Sequence, residues 1–129
     1  MDPLNHPIMH RKIAIGEVAW LWRHRAKLSA SQAAEARGLT RMAWSELERE
    51  WAYEGGCSLV TGWLDSPVTA SDRLRLLRRR AHVLKGIGRQ ELADHTKISH
   101  VTYLKWERAT DPRLVTWWAT HGYNLLQLP

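Results

Sequence analysis

The chain has 129 residues, 44% of them hydrophobic, and carries a formal net charge of +6 at pH 7. This length allows one domain, or two very small ones sharing a core, and the apolar content excludes global disorder. No apolar run approaches the roughly 20 residues of a membrane span, the N-terminus lacks the apolar stretch of a signal peptide, and the single cysteine excludes an internal disulfide. We therefore expect a cytoplasmic protein.

The net positive charge of the chain comes entirely from its second half. Residues 1–65 contain eight Lys/Arg and eight Asp/Glu, whereas residues 66–129 contain eleven and five. Such a partition indicates a polyanionic partner for one half only, although a solvated basic face without a partner explains it equally well. Because Ser66-Pro67 disfavours helix at residue 66, we expect two domains that meet near this point, 1–65 and 66–129.

Helical spacing dominates both halves, and the sequence predicts an all-α fold of two units with four to five short helices each. The first half is expected to contain an irregular arm at 1–12 and helices at about 16–27, 30–37, 41–53 and 58–64. Ser29 and Gln32 form a capping box for the second helix, Gly38 ends it, and Thr40 caps the third.

The second half is predicted to repeat this plan. Its helices are expected at about 71–85, 89–95 and 100–109, followed by one that Asp111-Pro112 opens. Ser99 caps the third of these helices. The first carries an apolar stripe made of Leu74, Leu77, Ala81 and Leu84.

The two halves align with a shift of 59 residues. The matched pairs are Leu28/Ile87, Ala34/Ala93, Leu39/Ile98, Thr40/Ser99, Trp44/Tyr103, Glu48/Glu107 and Arg49/Arg108. The small Ala lets two helices cross closely, and the aromatic residue four positions after the cap anchors the third helix inward. The positions just after the cap then face outward at the helix N-terminus, where the base edges of DNA would lie.

A family resemblance follows from these residues. The stretch Ile87-Gly-Arg-Gln-Glu-Leu-Ala93, followed by Ile98-Ser99 and Trp106-Glu107-Arg108, resembles the Xre/Cro/cI helix-turn-helix family over about residues 73–128. The first half resembles it more weakly, over about 17–49. The resemblance implies two tandem helix-turn-helix units in a sequence-specific regulator of transcription that binds double-stranded DNA, a repressor of phage or mobile-element type.

The resemblance also implies the residues that meet DNA. The candidate DNA-binding residues of the second half are Arg89, Gln90, Ser99, His100, Val101, Thr102 and Lys105. Arg89 occupies the position that meets a phosphate, and the residues after Ser99 read bases. The corresponding candidates of the first half are Arg41, Met42 and Ser45, but there Glu46 repels phosphate and Ala30 cannot bind one.

The first half is therefore interpreted as a degenerate repeat that packs against the second half, dimerises or binds a protein. The expected partner is a double-stranded DNA operator, bound by a homodimer or by an intrachain pseudo-dimer. The alternative function is that of an antitoxin or antiactivator that holds a protein partner on residues 1–65.

No catalytic pattern is present, so we expect neither an enzyme nor a cofactor. A metal site is not expected either, because only His6 and His10 have ligand-like spacing.

Three further features have competing interpretations. The resemblance implies that Glu48 and Glu107 form structural ion pairs with the basic residues of the first helix in each half, Arg23 and His82, rather than acting in catalysis. Arg78-Arg79-Arg80 is expected to contact phosphates rather than only water. Trp117-Trp118 is expected to lie in the core rather than to stack on single strands.

Overall fold

The computed structural model describes residues 13–51, 62–95, 98–108 and 112–117. Within these residues the protein is all-α, as the sequence predicted, with seven helices and no strand. The helices are α1 (Ile15–Arg25), α2 (Ala30–Ala36), α3 (Arg41–Glu48), α4 (Ala70–Lys85), α5 (Arg89–His95), α6 (His100–Arg108) and α7 (Pro112–Trp117). The predicted arm at 1–12, His6, His10, Cys57 and Trp118 lie outside the described residues.

The chain divides into two compact units. The N-terminal unit, Lys12–Pro67, holds α1 to α3, and the C-terminal unit contains Val68–Pro129 with α4 to α7. In the N-terminal unit α3 packs on α1 and α2, and in the C-terminal unit α6 packs on α4 and α5. Each unit therefore places its third helix against the first two.

Short-range hydrogen bonds explain where α2 and α3 begin and end. The Ser29 hydroxyl accepts from the Gln32 amide at 3.1 Å, and the Gln32 side chain accepts from the Ser29 amide at 2.9 Å. The Thr40 hydroxyl accepts from the Ala43 amide at 3.0 Å. Gly38, just after α2, has a φ of 68°, a left-handed conformation that glycine adopts without steric cost. The capping box, the glycine stop and the Thr40 cap are confirmed.

The 59-residue spacing recurs in the backbone of the two units. Helices α2 and α5 have bounds 59 residues apart, and so do the first residues of α3 and α6. The amides of Leu39 and Ile98 both donate to the carbonyl oxygen of the buried alanine five residues earlier, at 2.8 and 3.3 Å. Lys27 and Gly86, also 59 residues apart, both have a left-handed φ after the first helix of their unit. The two halves thus share local geometry as well as residue types.

The core of the C-terminal unit combines residues from all four of its helices. Its buried members are Ala70, Leu74, Leu77, Ala81, Leu92, Ala93, Tyr103, Trp106, Leu114 and Trp117, with Ile87 and Ile98 packed against them. The interpretation of Trp117 as a core residue is confirmed. The prediction for Leu84 is wrong, because this residue at the end of α4 is 38% exposed.

Two of the predicted helix bounds in the N-terminal unit are wrong. Helix α3 ends at Glu48 and not near residue 53, because the Glu50 carbonyl turns to accept from the Gly16 amide at 2.8 Å. A Cβ at Gly16 would lie 2.5 Å from the carbonyl oxygen of Glu48, so the approach of α1 to this turn requires glycine. In the predicted helix at 58–64, residues 62–64 are not helical, and 58–61 lie outside the described residues.

Helix α4 begins at a capping box that the sequence analysis missed. The Thr69 hydroxyl accepts from the Asp72 amide at 3.1 Å, and the Asp72 carboxylate accepts from the Thr69 amide at 3.0 Å. The signal was visible in the sequence as Thr69 followed three residues later by an acid. The cap sets the start of the helix that carries Arg73, Arg75, Arg78, Arg79, Arg80 and Lys85.

Candidate nucleic-acid interface

One side of α6 is held against the core by two aromatic rings. Tyr103 is fully buried, and its hydroxyl donates to the carbonyl oxygen of Leu74 in α4 at 3.0 Å. Trp106 meets Trp117 of α7 edge to face, with ring centroids 5.8 Å apart. These contacts fix the rotation of α6 about its axis, so they also determine which of its side chains face solvent.

An ion pair adds a polar tie between α4 and α6. Arg78 Nε lies 2.7 Å from Glu107 Oε1, and Arg75 Nη2 donates to the Glu107 carbonyl oxygen at 2.6 Å. The predicted partner of Glu107, His82, is wrong. Arg78 lies one helical turn before His82 on the same face, and its longer side chain carries a permanent charge, whereas His82 is exposed. That i−4 spacing was the only sequence signal for Arg78.

The residues at the start of α6 face outward. His100, Val101 and Lys105 are exposed, with 62% of Val101 accessible, and Thr102 is half-buried. The Ser99 hydroxyl accepts from the Thr102 amide at 3.1 Å and donates to the Thr102 hydroxyl at 2.8 Å. The cap therefore also fixes Thr102, while an imidazole, an isopropyl group and an ammonium group remain accessible.

Two more of the predicted residues are exposed at the start of α5. Arg89 and Gln90 are the first residues of this helix, and both side chains are accessible. Helix α5 packs on α6 within the C-terminal unit. The unit thus carries exposed polar side chains at the first turns of two adjacent helices.

The interpretation of Arg78-Arg79-Arg80 as a phosphate clamp is wrong for Arg80, and Arg78 is already paired. Arg80 and Arg73 are each 2% exposed, so neither can reach a phosphate from this position. Arg78 is engaged by Glu107. The accessible cations of the described C-terminal unit instead include Lys85, Arg89, Lys105 and Arg108.

The equivalent surface of the N-terminal unit has a different character. Arg41 donates to the hydroxyl of Ser45 one turn later, so these two candidate residues bond to each other. Met42 is 73% exposed at the position that matches Val101. The exposed residue Glu46 stands where the C-terminal unit has Lys105. An acid therefore replaces a cation at the same place on the third helix.

The predicted ion pair of the N-terminal unit is confirmed. Arg23 Nε lies 2.7 Å from Glu48 Oε1, and Arg23 Nη2 lies 3.4 Å from Oε2, so the fork of the guanidinium faces both carboxylate oxygens. The side chains are 18% and 14% exposed. This shielded, bidentate geometry assigns Glu48 a structural role in joining α1 to α3.

Among the residues that the structure describes, no three His, Cys, Asp or Glu side chains converge to hold a metal ion. No helix in this part of the chain is long and apolar enough to cross a membrane.

Comparison of the chain with protein-family models, with curated proteins and with solved structures finds no match.

Burial of Tyr103 predicts a change in stability at high pH. Desolvation, and then the nearby Glu107 carboxylate, raises the pKa of Tyr103 well above its usual value. In the unfolded chain this phenol ionises near pH 10, whereas in the folded protein it stays protonated. Above that pH the unfolded state binds fewer protons, so the free energy of unfolding falls by up to about 1.4 kcal/mol per pH unit.

The measurement compares denaturant unfolding of the wild type and Tyr103→Phe from pH 8 to pH 12. Below pH 9 the variant is expected to be less stable by about 1 kcal/mol, because the hydrogen bond to Leu74 is lost. Above pH 10 its stability is expected to decline less steeply than that of the wild type. Parallel declines would show that Tyr103 ionises in the folded protein as it does in the unfolded chain.

Proposed function

We propose that this protein is a sequence-specific DNA-binding regulator whose C-terminal unit reads the major groove of an operator with α6. The observation that carries the proposal is the arrangement of α6. Its inner face is held to α4 and α7 by Tyr103 and Trp106, while His100, Val101 and Lys105 are exposed at and just after its first turn. A groove-reading helix presents its N-terminal side chains to base edges in this way.

The chemistry of these side chains supports the assignment. Lys105 and the protonated form of His100 can donate to guanine O6 and N7, and Val101 offers an apolar contact to the methyl group of thymine. Arg89, exposed at the start of the adjacent α5, suits a phosphate. The excess of eleven Lys/Arg over five Asp/Glu in residues 66–129 favours binding to a polyanion.

The test is selection of duplexes from a random pool with the full chain, followed by affinity measurements at several salt concentrations. A shared sequence motif is expected, and log K should fall with log salt with a slope of about −0.9 per phosphate contacted. A palindromic motif would indicate a homodimer or an intrachain pseudo-dimer. Failure to enrich any sequence would contradict the proposal.

Base contacts and phosphate contacts predict different responses to mutation. Arg89→Ala is expected to weaken cognate and scrambled duplexes in parallel and to reduce the salt slope by about 1. His100→Ala and Thr102→Ala are expected to weaken mainly the cognate duplex, by about 1–3 kcal/mol. Titrations of each variant against both duplexes measure the ratio of its affinities for the cognate and the scrambled duplex. If His100→Ala and Thr102→Ala leave the cognate-to-scrambled ratio unchanged, α6 does not read the operator.

A second candidate function is that of an antitoxin or antiactivator acting through the N-terminal unit. The observation that favours it is Met42, which is 73% exposed on a surface where Glu46 opposes DNA binding. Binding of a protein through such an apolar side chain should respond little to salt. Steep salt dependence of the affinity for the protein partner would count against this function. Met42→Ala should weaken binding of the partner without weakening binding of DNA.

A further inference from the structure

Three tryptophans of the N-terminal unit form an aromatic cluster with Arg37. The rings of Trp44 and Trp63 are nearly parallel, with planes 4° apart and centroids separated by 5.9 Å. The Trp22 ring lies 5.6 Å from that of Trp63. The Arg37 guanidinium carbon lies 4.3 Å from the Trp22 centroid and 4.1 Å from the Trp63 centroid. Stacking and cation–π attraction thus hold Trp22 and Trp63 in fixed positions.

A cavity of about 200 Å³ opens beside these two rings. It is lined by Trp22, Arg25, Ala26, Trp63, Leu64 and Asp65. Pockets for drug-sized ligands have volumes of about 300–1,000 Å³, so this cavity fits a single ring system rather than a larger molecule. Two indoles with planes 58° apart contribute to its walls, so a planar ligand can stack on one ring and meet the other edge to face.

The two charged groups of the cavity are not equally accessible to a ligand. Arg25 Nη1 donates to the carbonyl and hydroxyl oxygens of Ser66 at 3.0 and 2.9 Å, and Nη2 donates to the Pro67 carbonyl at 2.9 Å. These bonds join α1 to the segment that carries Trp63. The Asp65 side chain is 96% exposed, and its carboxylate lies 3.9 Å from Arg25 Nη1. The carboxylate is therefore the group open to a ligand, and it can only accept hydrogen bonds.

These features together restrict the chemistry of the ligand. A cationic ring in the cavity would be repelled by the guanidinium of Arg25, and an anionic ring would be repelled by the carboxylate of Asp65. These limits apply to the ring that enters the cavity, because a cavity of about 200 Å³ leaves any attached phosphate in solvent. A neutral, planar ring with N–H donors avoids both conflicts, because it can stack on indole and donate to the carboxylate. Nucleobases have this character, and unstacked bases bind to aromatic rings and guanidinium planes.

We propose that this cavity binds a single guanine base. Guanine carries two adjacent donors on one edge, N1–H and the N2 amino group, and these match the two oxygens of the Asp65 carboxylate. Adenine and cytosine pair one amino donor with an adjacent acceptor, and thymine has one donor between two acceptors. The base belongs either to a free guanine nucleotide or to an unpaired position in a single strand. The site lies in the N-terminal unit and does not depend on the DNA-reading role of α6.

The experiment titrates the full chain with two probes, guanosine 5′-monophosphate and a single-stranded oligothymidine that contains one guanine. Binding is measured by calorimetry and by NMR shifts of the indole N–H signals, assigned with single Trp→Phe variants. The signals of Trp22 and Trp63 are expected to move, whereas that of Trp117 in the C-terminal unit is not. Adenosine and thymidine 5′-monophosphates are expected to bind about tenfold more weakly than the guanine nucleotide.

Asp65→Asn is the decisive variant because its side chain is exposed and its amide places a donor where guanine needs an acceptor. It should weaken both probes about tenfold, and Glu35→Gln, another exposed acid of the same unit, should change neither. Binding of only the nucleotide or of only the strand supports the site and identifies which of the two supplies the guanine base. No binding of either probe, equal binding of adenosine monophosphate, or unchanged affinity in Asp65→Asn overturns the proposal. Binding of duplex DNA by the same variants is expected to be unchanged. A failure of the guanine site can therefore be distinguished from a failure of the proposed DNA reading by α6.

Discussion

Truncating Tyr103 to Ala is expected to lower the free energy of unfolding by about 3–5 kcal/mol, the usual cost of removing a buried aromatic ring. Tyr103 is fully buried in the core of the C-terminal unit, and its hydroxyl bonds to Leu74 of α4. The change therefore removes both the apolar contact and the polar tie that set the rotation of α6. Thermal and denaturant unfolding of the full chain measure the loss.

Val101→Ala is the matched control for stability, because Val101 lies on the same helix and is 62% exposed. Its truncation should change the free energy of unfolding by no more than about 0.5 kcal/mol. Alanine is the better helix former at both positions, so a comparable loss in both variants would mean that the burial of Tyr103 against α4 does not distinguish the two positions.

Reversing the charge of Lys105 is expected to weaken binding to the selected operator by about 10- to 100-fold. In Lys105→Glu the side chain loses its donor to a guanine or a phosphate, and it adds a carboxylate that repels the backbone of DNA. Lys105 is exposed, so the folded state should tolerate the change. The variant reproduces the N-terminal unit, where Glu46 occupies the equivalent position. Gel-shift titration at fixed salt gives the affinity.

The control must change the net charge equally but outside the C-terminal unit. Lys27→Glu does so, because Lys27 is an exposed residue of the N-terminal unit. It should weaken binding much less than Lys105→Glu, and Met42→Ala and Ser45→Ala should also have small effects. An equal loss in Lys27→Glu would attribute the effect to net charge, and a larger loss in Met42→Ala or Ser45→Ala would assign reading to the N-terminal unit.

Features that depend on neighbours in sequence could be predicted. The caps at Ser29, Thr40 and Ser99 bond to amides three residues later, so the residue types alone locate the helix starts. The burial of Trp44 and Tyr103 was also expected, because a helix repeats its inward face every three to four residues. The outward positions after Ser99 follow from the same periodicity, and with them the candidate reading surface.

Features that depend on how helices pack were decided only by the tertiary structure. Glu107 pairs with Arg78 across 29 positions of sequence, and α3 stops early because Glu50 bonds to Gly16 of α1. Arg80 is buried, although a charged guanidinium side chain is usually exposed to solvent. The angle and position at which two helices cross determine which turn of one helix meets a given residue of the other. The pattern of charges along a single helix does not specify this crossing. For the same reason the cavity beside Trp22 and Trp63 had no signal in the sequence.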